Sequence, residues 1–301
     1  MNSKIAMSRT LLWSCWMAAA CCAAAGTETL SDFRPAGFAS QYGAVSRIRF
    51  HSEPVELDAG SLAHHSHGLI KQLRFAEPVW VIGYRTEIVD ARGKSPRENF
   101  LCHTFFGDQK VDQRQDREMK GIYSDAFTTE LRLPDGFGLY YTPDDDLQWV
   151  PMFNNRGEQS VRVAMKVELT LVRAKDLKKP LRPLYSTLRS VQVPHLFFVE
   201  PGRDERQVTF EMPIDGTIHV LGTHIHPHAL SIELYNVSRK ETVWKGTRSS
   251  DATGNNMGVY SSAEGYPVRA GETYKVVSVY ENPTTAPIDA MAGLFIFYSR
   301  E

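Results

Sequence analysis

Cysteine is almost absent from the working part of this chain. Of four cysteines in 301 residues, Cys15, Cys21 and Cys22 crowd the N-terminus and only Cys102 lies beyond it. That distribution excludes a disulfide framework and a Cys-x-x-Cys pair, so stability must come from packed cores. Charge of one sign is lacking too, with 34 Lys and Arg against 35 Asp and Glu. No basic stripe breaks the balance, which argues against a nucleic-acid partner. Helical periodicity is scarce; residues 186–191 and 110–119 alone hint at short helices or polar loops. There is no Ser nucleophile motif and no phosphate-binding Gly loop.

Apolar runs long enough to cross a bilayer are missing as well. The longest, residues 11–20, follows Lys4 and Arg9 and precedes the small residues Ala23, Ala24 and Ala25. That order of positive, apolar and small residues predicts a cleaved signal peptide over residues 1–25, hence a secreted or periplasmic chain with no integral membrane segment. A lipoprotein anchored through Cys21 or Cys22 is the weaker alternative, because Ala18 or Ala19 stands where such signals carry Leu. Once the signal is removed, Cys102 is the one thiol left, and a lone thiol invites the question whether it is a ligand.

What is present is a long series of strand-like runs. Residues 78–89 read as one long or bent strand closed by the turn Asp90-Ala91-Arg92-Gly93, and residues 161–172 alternate apolar with polar. Strands at such spacing, with Gly and Pro at the joints, predict an all-β fold of two tandem antiparallel β-sandwich (jelly-roll) domains. The expected N-terminal domain covers 45–175 and the C-terminal one 195–301. Residues 176–194, with Lys178, Lys179, Pro180 and Pro183, read as the exposed connection.

The strongest chemical signal is Gly222-Thr223-His224-Ile225-His226-Pro227-His228, set between two alternating runs. Strand side chains change face at every residue, so His224 and His226 share one face. Two imidazoles so placed suit copper, zinc, iron or nickel. The plain alternative is a pair of exposed strand histidines. A cupin site would need a Glu a few residues on and a later His, and Leu230 and Ser231 stand in the first place while no His follows His228. His64, His65 and His67 form a second cluster, between Gly60 and Gly68. Asp144, Asp145 and Asp146 form an acidic run with the look of a solvated turn.

His224-Ile225-His226, then Asn282-Pro283, then Asp289-Ala290-Met291 before the apolar run 292–298, resembles the copper type II, ascorbate-dependent monooxygenases, the family of peptidylglycine α-hydroxylating and dopamine β-monooxygenases. The resemblance implies two jelly rolls with one copper each. It implies a C-terminal copper on His224, His226 and Met291, where the soft thioether favours Cu(I). In the first domain the family's His-His pair is here Cys102-His103. The run Leu147-Gln148-Trp149-Val150-Pro151-Met152 offers Met152 where the family has a third His. Cys102, His103 and Met152 then form a soft first site, or that site is lost and Cys102 is a small core residue.

The Arg that binds the peptide carboxylate in amidating members is replaced by Gly222, and Gly293 and Phe295 stand where an Asn and a Tyr are expected. The anion clamp is missing, so a peptide substrate is not expected. The expectation is a copper-dependent monooxygenase acting on a small organic substrate with O₂ and an ascorbate-like reductant. The alternative is a non-catalytic, exported copper-binding or copper-handling protein of the same fold. A third possibility is a metal-free adhesion or carbohydrate-binding module.

Overall fold

The structure is a computed structural model that describes residues 27–61, 69–96, 100–108, 120–126, 128–248 and 257–301. The signal peptide, the His64–His65–His67 cluster and residues 110–119 lie outside them. Among the described residues there is no helix, and so none long and apolar enough to cross a membrane.

The chain runs β1 (Glu28–Leu30), β2 (Arg34–Ser40), β3 (Gly43–His51), β4 (Val55–Leu57), β5 (Lys71–Phe75), β6 (Val79–Asp90), β7 (Leu101–Asp108) and β8 (Gly121–Asp125). It continues through β9 (Glu130–Arg132), β10 (Phe137–Tyr141), β11 (Leu147–Phe153), β12 (Val161–Leu177) and β13 (Arg182–Pro183). The second half holds β14 (Tyr185–Ser190), β15 (Phe197–Val199), β16 (Gly202–Glu211), β17 (Gly216–Ile225) and β18 (Ala229–Asn236). Last come β19 (Glu241–Thr247), β20 (Tyr260–Val268), β21 (Thr273–Asn282), β22 (Ile288–Ala290) and β23 (Ala292–Arg300).

Both halves carry one strand order. In the first, β3-β12-β6-β10 face β5-β11-β7-β8; in the second, β14-β23-β17-β20 face β16-β21-β18-β19. Counting eight principal strands in each, both place first-eighth-third-sixth against second-seventh-fourth-fifth, which is the jelly roll. The expected all-β fold of two tandem sandwiches is what the chain forms.

Alternation explains the long strands. In β12, Val163, Met165, Val167, Leu169 and Leu171 are buried while Lys166 is exposed, so one face enters the core. β6 closes at the expected turn: the Gly93 N–H donates to the Asp90 carbonyl at 2.9 Å, and Gly93 takes φ +74°, a conformation glycine adopts without strain.

Three expectations are corrected. Residues 186–190 are not a helix or loop, since β14 pairs along its whole length with β23, and only Val191 falls in the bend that follows. Residues 176–194 are therefore not a free connection: β12 runs to Leu177, β13 pairs with β10, and β14 opens the second jelly roll. Its Ser186, Arg189 and Ser190 are polar yet buried, which hid the strand. Paired strands also begin well before residue 45, with β1 on β5 and β2 on β3.

The two jelly rolls meet face to face. β23 is buried along its length, and its faces serve different cores: Leu294, Ile296 and Tyr298 pack inside the second jelly roll, Phe295 and Phe297 with the first. Val220 of β17 joins the same first-domain cluster. On the other side, Tyr123 of β8 stacks on Phe295, ring centroids 3.8 Å apart.

Candidate metal centre

The outer face of the β11-β7-β8 sheet is set by register. Thr104 and Phe106 point into the first core, where Trp149 donates to the Thr104 hydroxyl at 2.7 Å. His103 and Phe105 therefore point outward, opposite Asp125 and Tyr123 of β8. Gly107 and Gly121 face each other because the Phe105 ring lies over them; a Cβ on Gly121 would meet that ring at 2.6 Å. Met152 of β11 stands opposite His103 on the same face.

Cys102 should by alternation point away from His103. It does not, because the β7–β11 register shifts there: Met152 pairs with His103 and Phe153 with Leu101, which leaves Cys102 as the extra residue of a β-bulge. A bulge re-aims a side chain. The Cys102 Sγ lies 3.2 Å from the His103 Nδ1. Cys102 is buried, and burial with the nearby Asp125 carboxylate pushes its thiol up to about 12. In the metal-free chain the group is a thiol, and a bound cation must displace its proton.

The facing surface comes from β17 and β23. With Val220 turned to the first domain, Gly222 and His224 follow on that face, while Leu221 and Ile225 enter the second core. His224 is opposite Gly293, and its Nε2 lies 3.1 Å from the Met291 Sδ. Across the interface the His103 and His224 rings are 4.6 Å apart and near perpendicular. The donor atoms of Cys102, His103 and His224 all lie within 4.8 Å of one another. Asp125, buried at 1% exposure, places an oxygen 3.6 Å from the other His224 nitrogen, Nδ1.

His226 lies beyond the end of β17, its ring 5.5 Å from that of His224. Its Nδ1–H donates to Asp289 at 2.7 Å, and Arg156 of the first domain grips the same carboxylate with two hydrogen bonds of 3.2 and 2.9 Å. Burial alone would raise the Asp289 carboxyl; the bonds from His226 and Arg156 outweigh it and hold the group well below the usual carboxylate range. A carboxylate on one ring nitrogen fixes a histidine's tautomer and leaves Nε2 as its donor. The Tyr280 hydroxyl bridges this corner, accepting from the His226 N–H at 3.1 Å and donating to the Met291 carbonyl.

The predicted donors thus fall out as one group rather than two. The sequence suggested a first-domain site and a second-domain site; the fold brings Cys102 and His103 against His224 and Met291, with His226 and Met152 flanking. Sequence reasoning assigned no role to Asp125, Tyr123, Asp289 or Arg156, since nothing in the local pattern of β8, of β22 or of the turn after β11 announces which groups the fold sets beside them. His219 is held apart from this group: its ring nitrogens sit 3.0 Å from the Ser262 carbonyl and 3.0 Å from the Ser299 hydroxyl. Asp145 is a turn residue, accepting from the Thr142 N–H at 2.6 Å and pairing with Lys120 at 3.0 Å.

The donor set fits a soft transition metal. Thiolate and thioether suit copper(I) or zinc and imidazole suits either copper state, while in the metal-free chain the 3.2 Å Cys102–His103 and 3.1 Å His224–Met291 contacts are hydrogen bonds.

No family model matches the chain, and no curated protein matches it. Among solved structures, the Penaeus vannamei nodavirus T=1 particle protein shows 11% identity and TM-score 0.25, over 84% of this chain and 99% of that one. The STIV MCP shows 8% and 0.33 over 87% and 94%. PBCV-1 VP54 shows 8% and 0.34 over 87% and 95%. These are capsid structures, and nothing of their role is carried to this chain.

Proposed function

We propose that the chain is an exported copper-binding protein whose single centre is built across the interface of two jelly rolls. The observation that carries this is the convergence of Cys102 and His103 from one domain on His224 and Met291 from the other. Cys102 and Met291 supply soft sulfur, His103 and His224 supply imidazole, and the buried Asp125 carboxylate lies 3.6 Å behind His224 as a nearby negative charge. Bound copper supplies one-electron redox chemistry. The surrounding residues exclude water, for Cys102, His224 and His226 are 4, 8 and 4% exposed.

Copper per chain after metal loading and desalting, measured by elemental analysis, tests the reading. One copper is expected, and it is lost in His224→Ala and in His103→Ala alike. No copper sinks the reading.

A second reading is the monooxygenase, hydroxylating a small organic substrate with O₂ and two electrons from an ascorbate-like reductant. It is favoured by His226, which Asp289 and Arg156 hold beside His224 and Met291 in the set that the family resemblance implies. Two coppers per chain with reductant-dependent O₂ consumption favour it. One copper with no consumption excludes it.

A further inference from the structure

We propose that the interface centre is a single thiolate-ligated, one-electron copper site, with Cys102, His103 and His224 as its strong donors and Met291 as a weak fourth. This rests on the copper-binding reading and narrows it: the ion serves to hold and release an electron rather than to activate oxygen.

The donor types carry the argument. Two imidazoles, one thiolate and one weak thioether form the ligand set of blue-copper electron-transfer sites. Here the four come from three separate places that only the folded chain unites. The bulge at Cys102 turns the thiol to the side of His103. The interface then sets the His103 ring 4.6 Å from His224. The Met291 sulfur closes on the His224 Nε2 from the residue just ahead of β23.

A site that activates oxygen keeps an open position for it, as catalytic metal sites in general do for substrate. Here Cys102, His103 and His224 bring three donor atoms within 4.8 Å of one another, and the Met291 sulfur beside His224 puts a fourth protein donor at hand for that position. The frame is also stiff. Tyr123 stacks on Phe295 directly beside the cluster, 5.7 Å from the His103 ring and 5.5 Å from that of His224. One frame for both oxidation states keeps reorganisation small. Of the two imidazole donors, His103 is half-buried and His224 buried, so His103 is the ring through which the electron passes to and from solvent.

The step balances simply. Copper held by Cys102, His103 and His224 would supply one-electron chemistry: one electron in from a small enediol reductant such as ascorbate, one electron out to a metal-complex acceptor such as ferricyanide, and no bond to carbon or oxygen formed or broken.

The test uses the full processed chain loaded with one equivalent of Cu(II). An intense visible thiolate-to-copper band and a narrow copper hyperfine splitting in electron paramagnetic resonance are expected. Cys102→Ser should keep copper and lose the band, and ascorbate should bleach the wild-type band with one electron per chain, restored by ferricyanide. Sulfur-edge X-ray absorption on the wild type reads the copper–thiolate bond directly, whether or not the variant folds. Copper bound one per chain with no band and no sulfur covalency overturns this proposal and leaves the copper-binding reading standing. No copper uptake overturns both.

Discussion

The two jelly rolls share a strand order and differ in how they present their sulfur and imidazole groups. The second presents His224 in regular alternation on β17 and Met291 just before β23, so its donors stand where a period of two puts them. The first breaks its own ladder: the bulge in β7 brings Cys102 and His103, neighbours in sequence, to the same side. One domain uses the regularity of a strand and the other an interruption of it. The lesson of the comparison is one of placement: the two sets, each on its own sheet, are brought together where the jelly rolls meet, and the proposed centre needs both.

Four experiments would break or sharpen that view. The largest effect is expected from ligand removal. Loss of a group that merely orients a ligand costs about 10–100-fold in metal affinity, so His103→Ala and His224→Ala should each cost more than about 100-fold. Competition with a chelator measures it, and a loss confined to half the bound copper in either variant would restore the picture of two independent sites.

Next is the shared strand. Phe297 is 2% exposed and belongs to β23, yet it packs with the first domain's core. Phe297→Ala should destabilise the protein by about 3–5 kcal/mol, as large aromatic truncations in cores do. Denaturant unfolding should show one transition for both domains; two well-separated transitions, with only the second moved, would mean that the interface does not couple them.

A smaller effect is expected at the ion pair that crosses the interface. Asp289 is held below its ordinary value in the fold, so between that lowered value and the unfolded one, about 3.9, the unfolded chain binds more protons. The stability it contributes is present above about pH 4 and is lost as pH falls through the folded value. Asp289→Asn should cost about 1 kcal/mol at pH 7, because Arg156 is partly solvated, and should flatten the acid limb of a melting-temperature profile. An unchanged acid limb would remove Asp289 as its source.

The smallest change is expected at Met152. It stands beside His103 but outside the four donors, so Met152→Leu should leave copper per chain unchanged and cost less than about 1.5 kcal/mol. Loss of copper would make Met152 a ligand.

Much of this was legible in the sequence, and the rest was hidden for definable reasons. The strands of β6 and β12 and the pairing of His224 with His226 follow from period-two patterning and turn residues. β14 was not legible because Ser186, Arg189 and Ser190 are polar residues buried by their neighbours rather than by their own chemistry. Cys102 and His103 were singled out by resemblance, since adjacent strand residues ordinarily face opposite ways and the bulge carries no local signal. That these two would touch His224 was not legible at all. Contact between residues 121 positions apart depends on how two finished sheets dock, and no pattern within either segment encodes it.

β23 has a consequence for how the chain must be made. It follows every other described strand, and both hydrophobic interiors wait for it: the first jelly roll emerges from the ribosome with the Tyr123 side of its sheet uncovered. Nothing can shield that surface until Phe295 and Phe297 arrive, some 170 residues later than Tyr123. Contacts so distant in sequence form slowly, and exposed apolar surface in the interval invites aggregation. A chain with this design gains from having its first half shielded until β23 has been made, and a helper that holds that half should matter more to its yield than one that assists the second.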